Sequence, residues 1–289
     1  MDDILFGISA LNTPSSLIQR QDEQGSLQPL TTYRVDQPIF VDEIFGPTLE
    51  GEGPYLGEPT IYVRTGRCDY NCSWCDSKHA VDQRQYQNEW RSMHPEAIFQ
   101  EMHALAGGKP ILMTISGGNP AIYASVGTLI ALLHRAGHRI KVETQGSIVQ
   151  EWFADIDVLS LSPKPPSSGM PPLPKHKNER RARQIEETVW TRLSVCINKA
   201  RGAEIYLKIP ILGEEDYAFA KEVAERYPQI PLYLQPTNPH PYEQDVQKVR
   251  DDLLERWAWL SERVLAEQWY HARVRPQAHV LLWGNKRGV

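Results

Sequence analysis

The sequence predicts an α/β fold: parallel strands that form a partial TIM-type barrel, with helices outside it. Short segments rich in β-branched and aromatic residues alternate with longer helical segments from about residue 38 onwards, and this alternation is typical of parallel sheets. Several of the strand segments are followed directly by glycine, cysteine or polar residues. The number of strands fits a partial barrel better than a complete eight-stranded one.

The first half of the predicted domain contains three strands and two helices. Ile39–Ile44 and Thr60–Thr65 are β-branched and aromatic segments bounded by glycine and proline, as strands often are. A helix is expected over Pro95–Leu105, because a pair of glycines follows it. Ile111–Ile115 is a short apolar run, typical of a strand buried on both faces, and Tyr123–Arg135 is the next predicted helix.

The second half continues the alternation and ends in a long amphipathic helix. The predicted strands are Ile140–Thr144, Asp157–Leu161, Glu204–Ile211 and Leu232–Leu234. The predicted helices are Glu179–Ala200, Glu214–Arg226 and Asp245–Tyr270, and a basic, proline-rich loop runs from Pro163 to about Lys177. Apolar residues of the last helix recur every three or four positions from Val246 to Val264, so one face of it should be buried.

Charge and targeting signals narrow the possible partners. The formal net charge of −5 gives no basic field that would attract nucleic acid. Acidic residues stand at the N-terminus where a signal peptide needs positive charge, and no stretch has the apolar length of a membrane span. We therefore expect a cytoplasmic protein that binds neither membranes nor nucleic acid directly. Residues 1–37 are predicted to be a weakly structured extension of a catalytic domain over 38–289.

The four cysteines indicate a metal or cluster site. Cys68, Cys72 and Cys75 lie within eight residues, whereas Cys196 lies far away and is expected to be a packing residue. Four cysteines in 289 residues are too few for a disulfide scaffold. Thiolates select zinc or iron–sulfur clusters. Two alternatives follow: a zinc site with His79 as fourth ligand, or a 4Fe-4S cluster whose fourth iron is open to a small molecule.

Chemistry in parallel folds takes place at the carboxyl ends of the strands. Glycine there lets the backbone approach a ligand closely, and a lysine offers a point charge to a carboxylate. The segments that follow the predicted strands are Gly66-Arg67-Cys68, Ser116-Gly117-Gly118, Gln145-Gly146, Ser162-Pro163-Lys164 and Gln235-Pro236. We expect these segments to line one site.

The cysteine segment resembles the signature of the radical S-adenosylmethionine (SAM) superfamily, Cys-x3-Cys-x2-Cys with an aromatic residue, here Trp74, before the last cysteine. From about Phe40 to the C-terminus, the chain also resembles the 7-carboxy-7-deazaguanine synthase family. The matching blocks, in order, are Gly46–Gly53, Gly57–Arg64, Ser116–Pro120, Glu143–Gly146, Ser162–Pro165, Leu234–Pro236 and Pro276–His279.

The resemblance implies a specific reaction in the pathway to queuosine and other 7-deazapurines. A reduced 4Fe-4S cluster cleaves SAM to a 5′-deoxyadenosyl radical, which takes the C6 hydrogen of 6-carboxy-5,6,7,8-tetrahydropterin. The ring contracts, ammonia leaves, 7-carboxy-7-deazaguanine forms and SAM is regenerated. The resemblance further implies a magnesium ion, an electron donor such as flavodoxin or ferredoxin, and a homodimer.

The resemblance also assigns roles to residues. Cys68, Cys72 and Cys75 would ligate the cluster, and Ser77 would ligate magnesium. The SAM contacts would be Trp74, Cys75, Asp76, Gly118, Ser162, Pro163, Lys164, Gln235, Pro236, Thr237 and Asn238. The substrate contacts would be Leu49, Glu50, Gly51, Arg64, Ser116 and the terminal carboxylate of Val289, with Glu52, Glu143 and His279 as further candidates.

Two departures and two alternative functions stay open at this point. Glu50 stands where the family usually has glutamine, and Asn119 stands where the superfamily usually has glutamate. An ionised carboxylate only accepts hydrogen bonds, so Glu50 changes the hydrogen-bonding sense of its position. The first alternative is another radical SAM enzyme, such as a glycyl-radical activase, against which Arg64 and Glu143 argue. The second is a non-catalytic zinc-binding module.

Overall fold

A computed structural model describes residues 37–170 and 179–289, together with two short antiparallel strands, β1 (Gln19–Gln21) and β2 (Leu27–Pro29). Side chains are described for 37–170 and 186–289. The remainder of the predicted N-terminal extension, and residues 171–178 of the predicted basic loop, lie outside the described residues.

One sheet of nine strands organises the described part of the chain. Its strands are β3 (Ile39–Leu49), β4 (Pro59–Thr65), β5 (Arg91–Met93), β6 (Leu112–Gly117), β7 (Arg139–Thr144), β8 (Val158–Leu161), β9 (Glu204–Ile211), β10 (Leu232–Pro236) and β11 (Ala272–Val274). The spatial order is β11-β10-β9-β8-β7-β6-β4-β3-β5. In this spatial order, every neighbouring pair between β11 and β4 is parallel. Strand β3 is antiparallel to both of its neighbours, β4 and β5. The edge strands β5 and β11 do not pair with each other, so the predicted α/β partial barrel is confirmed.

The helices of the described residues are α1 (Lys78–Val81), α2 (Gln83–Tyr86), α3 (Pro95–Leu105), α4 (Val126–Arg135), α5 (Glu179–Lys199), α6 (Glu214–Arg226), α7 (Val246–Ala266) and α8 (Ala278–Trp283). The longer helices are those that the sequence predicts. Two boundaries were wrong. Helix α4 begins three residues later than expected, because Tyr123 is extended after a short 3-10 turn. Helix α7 ends before the expected Tyr270, because Gln268 has a positive φ of 55° that a helix does not allow.

Strand β3 is longer than predicted, because a glycine and a proline do not end it. The prediction stops at Ile44, before Gly46 and Pro47. The strand continues to Leu49 by way of two register shifts against β4, and the second shift spans this pair. Gly46 has a φ of 126°, which only glycine adopts readily. The extra length matters for the site, because it carries the chain to the residues that follow Leu49.

The two faces of the sheet have opposite character. Side chains alternate along each strand, so Ile61 and Val63 of β4 point to one face while Tyr62 and Arg64 point to the other. The first face packs beneath the helices in the main hydrophobic core. The second face continues in register through the polar residues of β6 and β7, including Thr114. Polar side chains are thereby gathered on the concave side of the open barrel.

Candidate functional site

A cavity of about 230 Å³ opens at the carboxyl ends of the parallel strands and collects most of the residues predicted for a site. On the predicted cluster and cofactor side it is lined by Cys68, Cys72, Trp74, Cys75, Asp76, Ser77, Gly118, Ser162, Lys164, Gln235, Thr237 and Asn238. On the predicted substrate side it is lined by Leu49, Gly51, Glu52, Arg64, Ser116, Glu143, His279 and Val289. Three predicted residues do not line it: Glu50, Pro163 and Pro236.

The three clustered cysteines lie on the loop between β4 and α1. The loop turns tightly, with the amide of Cys75 donating to the carbonyl of Cys72 at 3.3 Å. The amide of Tyr70 donates to the sulfur of Cys68 at 3.4 Å. Burial raises the pKa of the Cys68 and Cys75 thiols to about 12. A positive metal centre is what stabilises thiolates in such surroundings.

The three cysteine sulfurs are not arranged as the ligands of a single zinc ion. Sulfur atoms around one tetrahedral zinc lie about 3.8 Å apart. Among the described residues, the sulfurs of Cys68, Cys72 and Cys75 do not all come within 4.8 Å of one another. His79, the fourth ligand of the zinc alternative, does not join them either: among the described residues it groups with Asp42 and Glu43 and not with two of the cysteines.

Hydrogen bonds attach the cysteine loop to the segment after β8. The indole of Trp74 donates to the hydroxyl of Ser167 at 2.9 Å. That hydroxyl in turn donates to Asp216, on the first turn of α6, at 2.7 Å. The hydroxyl of Ser73 donates to the carbonyl of Ser167 at 2.8 Å. The loop is therefore held to two other parts of the barrel before any cofactor is bound.

Asn119 is the centre of a second attachment, which explains one of the two departures. Its amide nitrogen donates to Asp69, next to Cys68, at 2.8 Å. Its amide oxygen accepts from the hydroxyl of Thr144 at 2.9 Å. Gln145 donates to the same Asp69 oxygen at 2.8 Å. A glutamate at 119 has no donor for Asp69, so the asparagine and the aspartate form a matched pair.

Gly117 and Gly118 are required by close packing at the end of β6. A Cβ atom on Gly118 would lie 1.8 Å from the carbonyl oxygen of Arg67, and one on Gly117 would lie 2.3 Å from the backbone of Thr65. Gly117 also has a φ of 118°. These glycines bring the end of β6 directly against the start of the cysteine loop.

Arg64 and Ser77 form a polar group beside the last cysteine. The guanidinium of Arg64 donates to Glu43 at 2.8 Å and to the hydroxyl of Ser77 at 2.9 Å. The Ser77 hydroxyl donates to Asp76 at 2.9 Å. Burial acts to lower the pKa of Arg64, but Glu43 and Asp76 outweigh it and raise that pKa above its usual value. The hydroxyl and the carboxylate are hard oxygen ligands of the kind that magnesium prefers.

Glu52 and Glu143 are ionised carboxylates in the cavity. Glu52 pairs with Lys208 and accepts from the amides of Gln235 at 3.1 Å and Gln277 at 3.0 Å. Burial acts to raise its pKa, but Lys208 and His279 lower it to about 2. Burial likewise opposes the charge of Glu143, and the ammonium groups of Lys141 and Lys208 hold its pKa well below its usual value. Both carboxylates are thus set to accept hydrogen bonds from a ligand.

The side chain of Glu50 turns away from the cavity into the sheet. Only 1% of it is exposed. It accepts from the hydroxyl of Tyr62 at 2.7 Å and pairs with the ammonium of Lys141 at 2.6 Å. Its neighbours Leu49 and Gly51 line the cavity instead. The second departure from the family pattern is therefore matched by a buried positive charge that the sequence reading did not identify.

The end of the chain lies against the cavity. Asn285 donates to the carbonyls of His240 and Glu243 at 2.8 and 2.9 Å. Arg287 lies 3.2 Å from Asp42. These contacts lead the last residues to the cavity, where Val289 is part of the lining.

Comparisons with known proteins agree with this geometry. Residues 62–162 match the model of the radical SAM superfamily. The 7-carboxy-7-deazaguanine synthase of Bacillus cereus is 39% identical over 252 residues, which are 87% of this chain and 99% of that protein. The enzyme of the same name from Bacillus subtilis is 42% identical over 252 residues, 87% of this chain and 98% of that protein. The chain belongs to the 7-carboxy-7-deazaguanine synthase family.

Membership of the 7-carboxy-7-deazaguanine synthase family makes this protein a radical SAM lyase, as the sequence predicts. The fold agrees as well. The crystal structure of QueE from Escherichia coli is similar with a TM-score of 0.54 and 20% sequence identity, over 84% of this chain and 95% of that one. None of the described helices has the length and apolar character needed to cross a bilayer.

Several residues important to this family site were missed by sequence reasoning. Lys141 and Lys208 are single lysines inside strand segments, where a lysine usually signals an exposed position. Asp216 stabilises the cysteine loop from a distance in sequence that no motif spans. Asp69 follows Cys68 directly, but its partners Asn119 and Gln145 lie far along the chain. The departure at Glu50 was the one signal that could have pointed to Lys141, because a buried carboxylate requires a partner.

Proposed function

We propose that this enzyme converts 6-carboxy-5,6,7,8-tetrahydropterin to 7-carboxy-7-deazaguanine and ammonia, with a 4Fe-4S cluster, SAM and Mg²⁺ as cofactors. One observation carries the proposal. The cavity that holds the three cysteine thiols also holds two ionised carboxylates, Glu52 and Glu143, together with the guanidinium of Arg64. A pterin with a carboxylate presents the complementary groups: hydrogen-bond donors on its aminopyrimidinone edge and a negative charge at the opposite end.

The cofactors supply the radical chemistry: when bound, the reduced cluster and SAM provide a 5′-deoxyadenosyl radical for abstraction of the C6 hydrogen. The thiolates of Cys68, Cys72 and Cys75 would hold the cluster. The polar residues at the ends of β8 and β10 would contact SAM: Ser162, Lys164, Gln235, Thr237 and Asn238. The protein contributes binding, orientation and exclusion of water.

The proposed binding of the pterin follows from charge. Glu143 and Glu52 would accept hydrogen bonds from the amino and ring N–H groups, because both are ionised and face the cavity. Arg64 would bind the substrate carboxylate, since its planar fork suits that group. The Ser77 hydroxyl, beside Asp76, would hold magnesium together with substrate oxygens and water. His279 and the carboxylate of Val289 would complete the substrate side.

The deciding experiment is an anaerobic assay of the reduced enzyme with 6-carboxytetrahydropterin, in which SAM and magnesium are each omitted in turn. We expect a deazapurine chromophore and one ammonia per product only when both are present. A protein that contains about four irons per chain and yields no deazapurine would point to another radical SAM reaction, such as that of a glycyl-radical activase. Stoichiometric zinc with no iron after anaerobic purification would support the zinc module.

The remaining parts of the proposal concern the setting of the enzyme. Residues 38–289 would form the catalytic domain, and two chains would form a homodimer. A flavodoxin or ferredoxin would supply the electron. A reducing cytoplasm suits these thiols, because disulfides persist mainly in oxidising compartments.

A further inference from the structure

Five charged side chains form a chain of alternating sign beneath the cavity, here named the buried charge cluster: Glu50, Lys141, Glu143, Lys208 and Glu52. The ammonium of Lys141 lies 2.6 Å from Glu50 and 2.9 Å from Glu143. The ammonium of Lys208 lies 3.7 Å from Glu143 and pairs directly with Glu52. Three carboxylates and two ammonium groups leave one net negative charge.

Two members of the buried charge cluster lie out of reach of any ligand in the cavity. Lys141 is 0% exposed and Glu50 is 1% exposed, and neither lines the cavity. Burial opposes the charge of Lys141, yet Glu143 and Glu50 hold its pKa well above its usual value. A charged pair without a ligand to bind acts through its neighbours. Two of these line the cavity: Tyr62, whose hydroxyl donates to Glu50, and Glu143, which is the charged one.

The contacts of Glu143 show how this action would work. One carboxylate oxygen lies 2.9 Å from Lys141, and the other accepts from the hydroxyl of Ser116 at 2.8 Å. Two partners on different oxygens fix the rotation of the carboxylate as well as its position. Glu143 is 18% exposed, so the remaining lone pairs of its oxygens face the cavity.

We propose that Glu50 and Lys141 are a positioning pair. It orients Glu143 and keeps the one net negative charge of the site for the donor-rich edge of a pterin. The pair adds one negative and one positive charge, so it leaves the net charge of the site unchanged. Lys141 without Glu50 would neutralise the site. Glu50 without Lys141 would leave two adjacent carboxylates buried with no ammonium between them. This inference rests on the proposed function, because it takes Glu143 as the group that recognises the pterin.

The test is a double-substitution cycle with two unreactive ligands. The variants are Glu50→Gln, Lys141→Met and the double variant. The matched control is Lys221→Met, which removes a lysine of α6 that pairs with Glu267 at the end of α7. The probes are 6-carboxypterin and 6-carboxylumazine, in which an oxo group replaces the 2-amino group. Binding is measured by calorimetry under anaerobic conditions on the reconstituted enzyme, and unfolding is measured in urea.

We expect the unsubstituted enzyme and Lys221→Met to bind the pterin more tightly than the lumazine. Lys141→Met should weaken pterin binding about tenfold or more and reduce the preference. The double variant should recover only part of both, because the net charge of the site is restored while Glu143 keeps Ser116 but not Lys141. Glu50→Gln alone should weaken binding by a smaller factor, about threefold, since Lys141 still holds Glu143 although the site has lost its net negative charge. A Lys141→Met protein that fails to fold while the double variant folds would support the pairing.

Two results would overturn the inference: equal losses in Lys141→Met and the double variant, or a loss above about tenfold in Glu50→Gln alone. An unchanged preference for the amino group in all variants would reduce the pair to a structural role and overturn it as well. Failure of the unsubstituted enzyme to bind either probe would instead contradict the proposed function. In that case the free energies of unfolding in urea still decide whether Glu50 and Lys141 are coupled. Additive effects of the two single substitutions in the double variant would show that they are not.

Discussion

The cysteine loop and the buried charge cluster both reach one cavity and are stabilised in different ways. The loop is held by hydrogen bonds that involve Trp74, Asn119 and Gln145, and burial keeps its thiols uncharged. The buried charge cluster is held by ion pairs, and neighbouring lysines keep the pKa of Glu52 and of Glu143 low, so that both are ionised. The thiols of the cysteine loop therefore depend on a metal centre to become thiolates, whereas the buried charge cluster carries its charges before a ligand arrives.

The largest expected effect comes from removing a ligand on the loop side. We expect Cys72→Ser to lose iron and activity completely while the fold is retained, because the hydrogen bonds that hold the loop do not use that thiol. Iron content, activity and circular dichroism check this. Cys196→Ser is the matched control, since Cys196 is fully buried in the core and should leave the iron content unchanged. An active Cys72→Ser enzyme would remove the ligand assignment.

The next effect belongs to the charge side and depends on pH. The pKa of Glu52 is about 2 in the folded chain against an ordinary value of 4.5, so its ionisation stabilises the fold above pH 4.5 and this contribution is lost as the pH falls towards 2. Its size is on the order of 3 kcal/mol. We expect Glu52→Gln to lower the free energy of unfolding at pH 7, with the difference shrinking below pH 4.5. Urea titrations in a Cys72→Ser background measure this difference without a contribution from the iron–sulfur cluster.

A difference between Glu52→Gln and the parent that stays constant from pH 7 to pH 3 would contradict the ion-pair account. For the cysteine loop, by contrast, we expect an effect on unfolding that does not depend on pH. Substitution of Trp74 by phenylalanine removes a neutral hydrogen bond, and its effect on unfolding should not vary with pH in this range.

A smaller effect is expected when a second negative charge is placed beside Asp69 of the cysteine loop. Asn119→Glu places a second carboxylate against Asp69, and we expect a loss of about 2 kcal/mol in stability together with lower iron content. The second substitution Asp69→Asn should restore much of both, because it returns a donor to the pair. Unfolding in urea and iron analysis of the single and double variants measure this. Equal losses in both variants would show that Asn119 and Asp69 are not a matched pair.

The smallest effect is expected at the border between the two regions. Ser77→Ala removes one oxygen ligand of the proposed magnesium site and one acceptor of Arg64. We expect the magnesium concentration for half-maximal activity to rise about three- to tenfold, with little change in stability. An unchanged magnesium response would remove Ser77 from the site.

The sequence predicts one side of the cavity better than the other. The cysteines and the glycines of β6 are adjacent in sequence or belong to short motifs, so their pattern reveals the loop. The buried charge cluster joins residues of β7, β9 and the segment that follows β3. Its pair between Lys208 and Glu52 spans 156 positions, and no local pattern connects them. Likewise α7 is visible from its periodicity and α3 from the glycines that follow it, whereas β5, β11 and α8 are too short to show such signals. The register shifts in β3 depend on its pairing with β4 as well as on Gly46, so they are not visible from the segment alone.

The pairing of Glu50 with Lys141 also has a consequence for how sequences of this kind change over time. Either substitution alone alters the charge of a closed interior, so each single step should be selected against even though the two-step exchange for a neutral pair is tolerated. The two positions should therefore covary among relatives: glutamate at the first with lysine at the second, and an uncharged residue at both in the remainder. A lineage that separates them should carry a compensating charge elsewhere on the concave face of the sheet.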